Sequence, residues 1–296
     1  SGVHYMHLVD HARAYIEETY KRPWHDRLIR RLLAAILPYP PRFRWALRAA
    51  KLGRPFRSIL GAVPALGPRL GAMLDLAPRA ITSILRMNWL QPPLDNVKIR
   101  RAILHAINQE DYLAAQIGDP EYSKVCPAMF GCSTPLKSDA GAVKPNIETA
   151  KKLLKESGYK GEKIVIMAPT DLASIAQLPL VSAPILRSIG MNIDLQSMDW
   201  QTLVGRRAKQ DGIDQGGWHI FHTAWGTADM MNPVANAGVK GLGKEGGWFG
   251  WTGDPEIEKL RDDYARETDP AKQKEIAAAV QKRAYEMVHY IPLGEY

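Results

Sequence analysis

The residues best placed to do chemistry lie in 218–233, WHIFHTAWGTADMMNP, where Trp225, Gly226, Asp229 and Asn232 follow a short apolar run. A run flanked by glycines suits a buried strand, and its polar, glycine-containing continuation suits a turn. The strand end handing over to such a turn is where open α/β sheets hold ligands. The competing reading is a strand followed by a loop with a solvated aspartate, and spacing does not separate the two.

Three other constellations compete for attention. Cys126 and Cys132 are the only cysteines in the chain. The five residues between them can close a small disulfide loop, and the alternative is two free buried thiols. A metal pair is disfavoured, because no further Cys or nearby His supplies the remaining two ligands. His4, His7 and His11 stand at helical spacing, yet no carboxylate or Cys completes a tetrahedral set, and the alternative is a surface stripe. Gly241-Leu-Gly-Lys-Glu-Gly246 matches G-x-G-x-x-G, but neither the preceding NAGVK nor the following GWFGW supplies the strand and helix that a dinucleotide needs. The sequence contains no Walker A, G-x-S-x-G or H-E-x-x-H motif, so it lacks its own ATPase, hydrolase or zinc-protease signature. No catalytic residue, cofactor or metal is expected.

The elements that must position these residues are legible in the pattern. At 296 residues, with 46% hydrophobic and 24% charged, the chain can bury a core and has the length of two domains. The net charge of +8 is uneven: residues 1–85 hold 14 Lys and Arg against 5 Asp and Glu, and the remainder is nearly balanced. Residues 1–37 predict two amphipathic helices, a third piece spans 43–52, and a Gly/Pro-rich connector follows at 53–78. Their arginine-rich faces could meet phosphates or anionic lipid, or simply face solvent or a partner. No apolar run of about 18 residues marks a membrane span, and no signal-peptide pattern is present.

Beyond residue 86, Asp95 or Asn96 caps a helix with Val97, Ala102, Ile103 and Ile107 inward, and Asn108 caps another. From 144 onward helix and strand alternate: a helix capped by Asn146, a strand at 163–167, a helix ending at Gly190, a strand at 191–196, a helix opened by Asp199, then the run at 218–222. This order implies a mixed or parallel sheet with helices on its faces. Asp254-Pro255 and Asp269-Pro270 start two final helices before an extended end.

Two resemblances follow. SGVHYMHLVDHARAYIEETYKRPWHDRLIRRLLAAILPYPPRFR resembles the segment of glycolate oxidase iron–sulfur subunits that follows the second ferredoxin-type cysteine cluster, out to about Pro78. No cysteine occurs in 1–85, so no cluster can be held there. PPLDNVKIRRAILHAINQEDYL and WTGDPEIEKLRDDYARETDPAKQKEIAAAVQKRAYEMVHYIPLGEY resemble the C-terminal lobe of family 5 extracytoplasmic solute-binding proteins, the peptide, nickel and opine receptors of ABC importers.

The expected fold is α/β, a periplasmic-binding-protein-like class II C-terminal lobe over 86–296, preceded by a basic helical segment over 1–85. The resemblance implies a substrate-binding component that delivers a peptide or other small solute to an ABC permease in the periplasm. It implies neither enzyme activity nor a nucleic-acid partner. In peptide-binding members an aspartate in a W…AD….P turn pairs with the ligand's amino terminus. Asp229, four residues before Pro233, matches it, with Trp225 and Gly226 shifted by one from the usual order. An exported protein would also meet the oxidising compartment that keeps a 126–132 disulfide. The two resemblances together read as a chimeric chain truncated at both ends. The alternatives are a redox-subunit fragment or a basic module for acidic partners.

Overall fold

The computed structural model describes residues 80–296 and, before them, Arg27, Arg31, Leu32, Ala34, Ala35, Tyr39, Arg42, Trp45 and Ala49. The chain divides into two compact units, Ser1–Arg79 and Ala80–Tyr296. In the first, all the described positions but Tyr39 are helical, and Arg42 donates to the Ala35 carbonyl at 3.2 Å while lying over the Tyr39 ring. His4, His7, His11 and the 53–78 connector lie outside the described residues.

The second unit is built on five strands: β1 (Ile81–Met87), β2 (Lys163–Pro169), β3 (Asn192–Met198), β4 (Ile220–Gly226) and β5 (Ile291–Glu295). Seven longer helices accompany them: α1 (Val97–Ala106), α2 (Gln109–Gln116), α3 (Ile147–Glu156), α4 (Ala173–Ser188), α5 (Trp200–Arg207), α6 (Pro255–Arg266) and α7 (Pro270–Met287). The sheet order is β3-β2-β4-β1-β5, with β2 parallel to β3 and β4, and β1 antiparallel to both β4 and β5. It is the mixed sheet that the alternation predicts.

The helix starts follow capping chemistry. The side chains of Asn96, Asn108, Asn146, Asp199, Asp254 and Asp269 each accept from a backbone N–H in the first turn. Each such bond is worth about 1 kcal/mol. Pro255 and Pro270 stand where a missing N–H costs nothing. By contrast, α4 begins without a side-chain cap and carries Pro179 and Pro184 inside; burial of Ile175, Leu178, Ala183 and Leu186 holds it to the sheet.

The boundary expected between residues 85 and 86 falls inside β1. Ile81–Met87 is a strand flanked by β4 and β5, buried at every residue after Ile81, so 81–85 belong to the sheet and not to a helical segment. A strand covered on both faces shows no clean alternation, and Thr82, Ser83 and Arg86 interrupt the continuous apolar run that would have marked it.

Strand alternation gives the sheet two distinct faces. Leu85, Met87, Ile220 and His222 meet the helices, where Ser182 of α4 bridges His222 Nε2 at 2.7 Å and the Tyr112 hydroxyl of α2 at 2.8 Å. Arg86, Phe221 and Trp225 face an aromatic layer that includes Trp218, Trp248 and Trp251. Arg86 is fully buried there, donating from Nε to the Phe249 carbonyl and from Nη1 to those of Gly238 and His289 at 2.7–2.8 Å. Burial lowers its pKa to about 9, so it remains a cation at neutral pH.

Candidate functional site

Because β2, β3 and β4 run parallel, their C-terminal ends share one edge of the sheet, and the 218–233 stretch emerges there. Trp225 and Gly226 are strand residues, paired with Thr82 and Ile81, and not part of the turn that the sequence suggested. The apolar run stops at Phe221, but ladder bonds to β1 carry the strand five residues further.

The turn itself is a one-turn helix, Thr227–Met230, followed by a loop to Asn236. Thr227 fixes its start, donating from both N and Oγ1 to the Ala80 carbonyl. Met230 is buried and anchors the helix, while Ala228 and Asp229 are exposed. Asp229 forms no hydrogen bond or ion pair with any described residue. A Cβ placed on Gly226 would lie 3.4 Å from Asp229 Oδ2, so the glycine keeps the flank of the carboxylate clear.

Asn232 makes the bend, its Oδ1 accepting from Val234 N and Ala235 N at 2.9 Å each. Its Nδ2 stays available. Trp225 is packed into the lobe rather than carried on the turn. Its half-buried ring packs edge-on to Trp248 with centroids 4.8 Å apart and to Tyr290 at 5.8 Å. Gly238 admits it: a Cβ there would stand 2.8 Å from both the Trp225 and Tyr290 rings. The structure thus brings Gly226 and Asp229 together and assigns Trp225 and Asn232 to the support beneath and beyond them.

Several supporting residues escape sequence reasoning. Asn236, fully buried, donates to the Met129 carbonyl at 2.9 Å and to the Tyr290 hydroxyl at 3.0 Å, and accepts from Gly238 N. Arg261 of α6 donates from Nε to the Pro233 carbonyl at 2.9 Å and pairs with Glu258, which in turn accepts from Gly241 N. The glycine-rich 241–246 segment is therefore packing: a Cβ on Gly241 would lie 2.3 Å from the Asp254 carbonyl. The one signal for these residues was the run of Asn and Gly after Pro233.

Buried ionisable groups elsewhere serve the fold. Asp254 pairs with Arg283 and accepts from His289 Nε2 at 3.3 Å. Burial pushes its carboxyl up, but the His289 and Arg283 contacts outweigh that and hold it below the usual range. Burial lowers His289 to about 4 and His222 to about 3, so both are neutral at physiological pH. The Ser182–His222 pair resembles a nucleophile and base by distance, yet both are fully buried and no substrate reaches them. Cys126 and Cys132 are joined as a disulfide, with Glu295 beside them. That trio is the one set of metal-ligand atoms grouped among the described residues, and the disulfide commits both sulfurs.

A mixed five-stranded sheet with helices on its faces makes Ala80–Tyr296 an α/β lobe, and the solved structures that share its fold are substrate-binding proteins. The sequence profile of the bacterial extracellular solute-binding proteins, family 5 Middle, matches residues 63–247, more than half of the chain, and the chain belongs to this family. Its members bind solutes and are not enzymes. Among curated relatives, a probable peptide ABC transporter periplasmic-binding protein of Sinorhizobium fredii, y4tO, is 36% identical over 84% of this chain and 48% of its own length. The oligopeptide-binding protein OppA of Bacillus subtilis is 28% identical over 69% of this chain and 38% of its own. The chain thus spans about half the length of the former and less of the latter.

Solved structures show the same fold. The ABC transporter substrate binding protein CtaP from Listeria monocytogenes superposes with a TM-score of 0.65 at 20% identity, covering 77% of this chain and 47% of that one. A Pseudoalteromonas dipeptide binding protein in complex with Met-Leu gives 0.59 at 20% identity, covering 74% and 43%. The match to y4tO takes more of the chain than Ala80–Tyr296 supplies, and the family match starts at residue 63. Solute-binding similarity therefore enters the stretch that resembled a redox-subunit connector. The comparisons lend no support to that resemblance or to the chimera it implied.

Proposed function

We propose that this chain acts in the substrate-binding component of an ABC importer for peptides or similar small solutes, delivering them to a membrane permease from the periplasm. Asp229 receives the ligand's ammonium group. The observation that carries this reading is the exposed, uncommitted Asp229 carboxylate on a turn braced at its start, middle and end. A carboxylate that spends nothing on its own fold is free to form a charge-assisted hydrogen bond, about twice as strong as a neutral one. Gly226 leaves room for the incoming group, while Trp225 and Asn232 hold the strand end and the bend that carry the turn. The relatives named for peptides and oligopeptides, and the neighbour holding Met-Leu, point to the same ligand class.

The test compares trialanine with N-acetyl-trialanine by calorimetry, on the chain and on Asp229→Ala. Breaking a desolvated charge pair costs about 2–5 kcal/mol, so the substitution should weaken the free-amine peptide by that amount and leave the acetylated one nearly unchanged. Equal affinities of both peptides for both proteins would show Asp229 to be a solvated loop residue.

A further inference from the structure

The ligand turn rests on a part of the chain that lies far from it in sequence. Residues 126–132, closed by the disulfide, have no helix or strand of their own, yet Ala128, Met129 and Phe130 are completely buried. This loop meets the 227–236 segment at both ends. At the start, Gly131 lies against Thr227: a Cβ on Gly131 would stand 3.2 Å from Thr227 Cγ2. At the end, the Met129 carbonyl accepts from Asn236 Nδ2 at 2.9 Å and from the Tyr290 hydroxyl at 2.8 Å. Tyr290 in turn packs on Trp225, the strand residue before Gly226. Arg261 supplies the brace in the middle, at Pro233.

The loop has other anchors, and they determine what opening the disulfide would do. Tyr285 donates to the Pro127 carbonyl at 2.7 Å, and the Gln281 side chain accepts from Met129 N at 3.0 Å. Cys132 N donates to Glu295 Oε2 at 2.8 Å. These bonds keep the loop on the lobe. Gln109 pins the other end, accepting from Cys126 N at 2.7 Å and donating to the Cys126 carbonyl at 3.0 Å. The disulfide adds the covalent tie between the two ends, and that tie restricts the path along which the Met129 carbonyl and the Gly131 backbone can wander. The loop has no regular backbone pairing, so its place rests on these side-chain bonds, on buried Ala128, Met129 and Phe130 and on the disulfide, and a local opening there reads separately from global unfolding.

We propose that the disulfide-closed 126–132 loop is the positioning element of the ligand turn, with Asn236 as the positioning residue that reads it, so that opening the disulfide loosens 227–236 while the lobe stays folded. The inference rests on the proposed role of Asp229 only for its effect on binding. Its structural content stands apart from that role.

Hydrogen exchange followed by mass spectrometry, on the chain before and after reduction and on the Cys126→Ser/Cys132→Ser variant, tests it. The expected result is exchange about tenfold faster in 126–132 and 227–236, with α4 and β2 unchanged. Unchanged exchange in 227–236 would overturn the proposal. So would a rise of equal size in α4 and β2, because the disulfide would then serve only global stability. Asn236→Ser, which leaves the disulfide intact, should loosen 227–236 but not 126–132.

A parallel titration with trialanine and N-acetyl-trialanine separates this proposal from the functional one. A tenfold loss of trialanine affinity on reduction, alongside the exchange result, upholds both. Faster exchange in a protein that never distinguishes the two peptides upholds the positioning and sinks the ammonium role of Asp229. Faster exchange with full discrimination and no loss of affinity would show that the turn binds equally well unbraced, which overturns the positioning claim.

Discussion

The two ends of β4 are built to opposite rules. At its N-terminal end every polar group of note is spent on the fold: His219 Nδ1 accepts from Val165 N at 2.9 Å, and Nε2 bonds the Pro92 carbonyl at the same distance. Trp218 beside it is fully buried against Phe221, and Asn88 donates to the Trp218 carbonyl. At the C-terminal end the backbone is just as firmly held, through Thr227 and Asn236, but the carboxylate it presents bonds no described residue. Buried polar groups must be paired to be tolerated, and an exposed one has no such obligation. The contrast teaches where to look for a ligand: at rigid backbone that carries an unspent side chain, and not at the densest cluster of polar residues.

The strongest way to sharpen this contrast is to remove a group from the spent region. Arg86→Ala should unpair three buried carbonyls, those of Phe249, Gly238 and His289, and withdraw the cation from Trp248. A loss of about 3–5 kcal/mol in urea unfolding is expected, the scale for breaking a buried charged network. A smaller loss follows from Gly238→Ala. The new methyl would meet the Trp225 and Tyr290 rings at 2.8 Å, and overpacking of this kind costs about 1–3 kcal/mol. A change within measurement error for Arg86→Ala would break the claim that the buried side is committed to the fold, and one for Gly238→Ala would break the tight packing beneath Trp225.

Much of this was readable in the sequence, and the failures have physical causes. The caps Asn96, Asn108, Asn146, Asp199, Asp254 and Asp269 all stand where the residue types put them, because an N-cap is a local interaction between neighbours in the chain. Strand β1 was missed because its identity is not local. Ile81–Met87 earns its place by pairing with strands that lie more than a hundred residues later, and Arg86 in a buried strand looks like a surface residue until its three carbonyl partners are seen. At the site, the nearness of Gly226 and Asp229 follows from spacing. The bracing by Asn236, Arg261 and the 126–132 loop depends on contacts that no short-range pattern encodes.

A pH titration probes the buried side more gently. His289 and His222 are held neutral by burial, at about 4 and about 3, against an ordinary value of 6.5. Above pH 6.5 neither the folded nor the unfolded chain protonates them, and their effect on stability is constant. As pH falls from 6.5 toward 4 the unfolded chain takes up protons that the folded chain refuses, so stability declines. The limiting slope is about 1.4 kcal/mol per pH unit for each histidine. The Asp254 carboxyl, held below its usual range, contributes its own decline only at lower pH. Thermal melts from pH 7 to 4 should show the histidine decline, and His222→Gln should make it shallower. A flat profile across that window would mean these imidazoles are hydrated.

The smallest expected effect is the most discriminating. Asp229→Ala removes a side chain that bonds no described residue and lies exposed on the one-turn helix Thr227–Met230. Surface substitutions of this kind change stability by about 0.5 kcal/mol or less. The carboxylate sits in the first turn of that helix, where a negative charge is mildly favourable, and in four residues even that contribution is slight. Urea unfolding of the variant should therefore overlay that of the parent chain. A loss above about 1 kcal/mol would mean that the carboxylate is structural after all. The two ends of β4 would then obey the same rule, and the argument that an unspent side chain marks the site would fall with it.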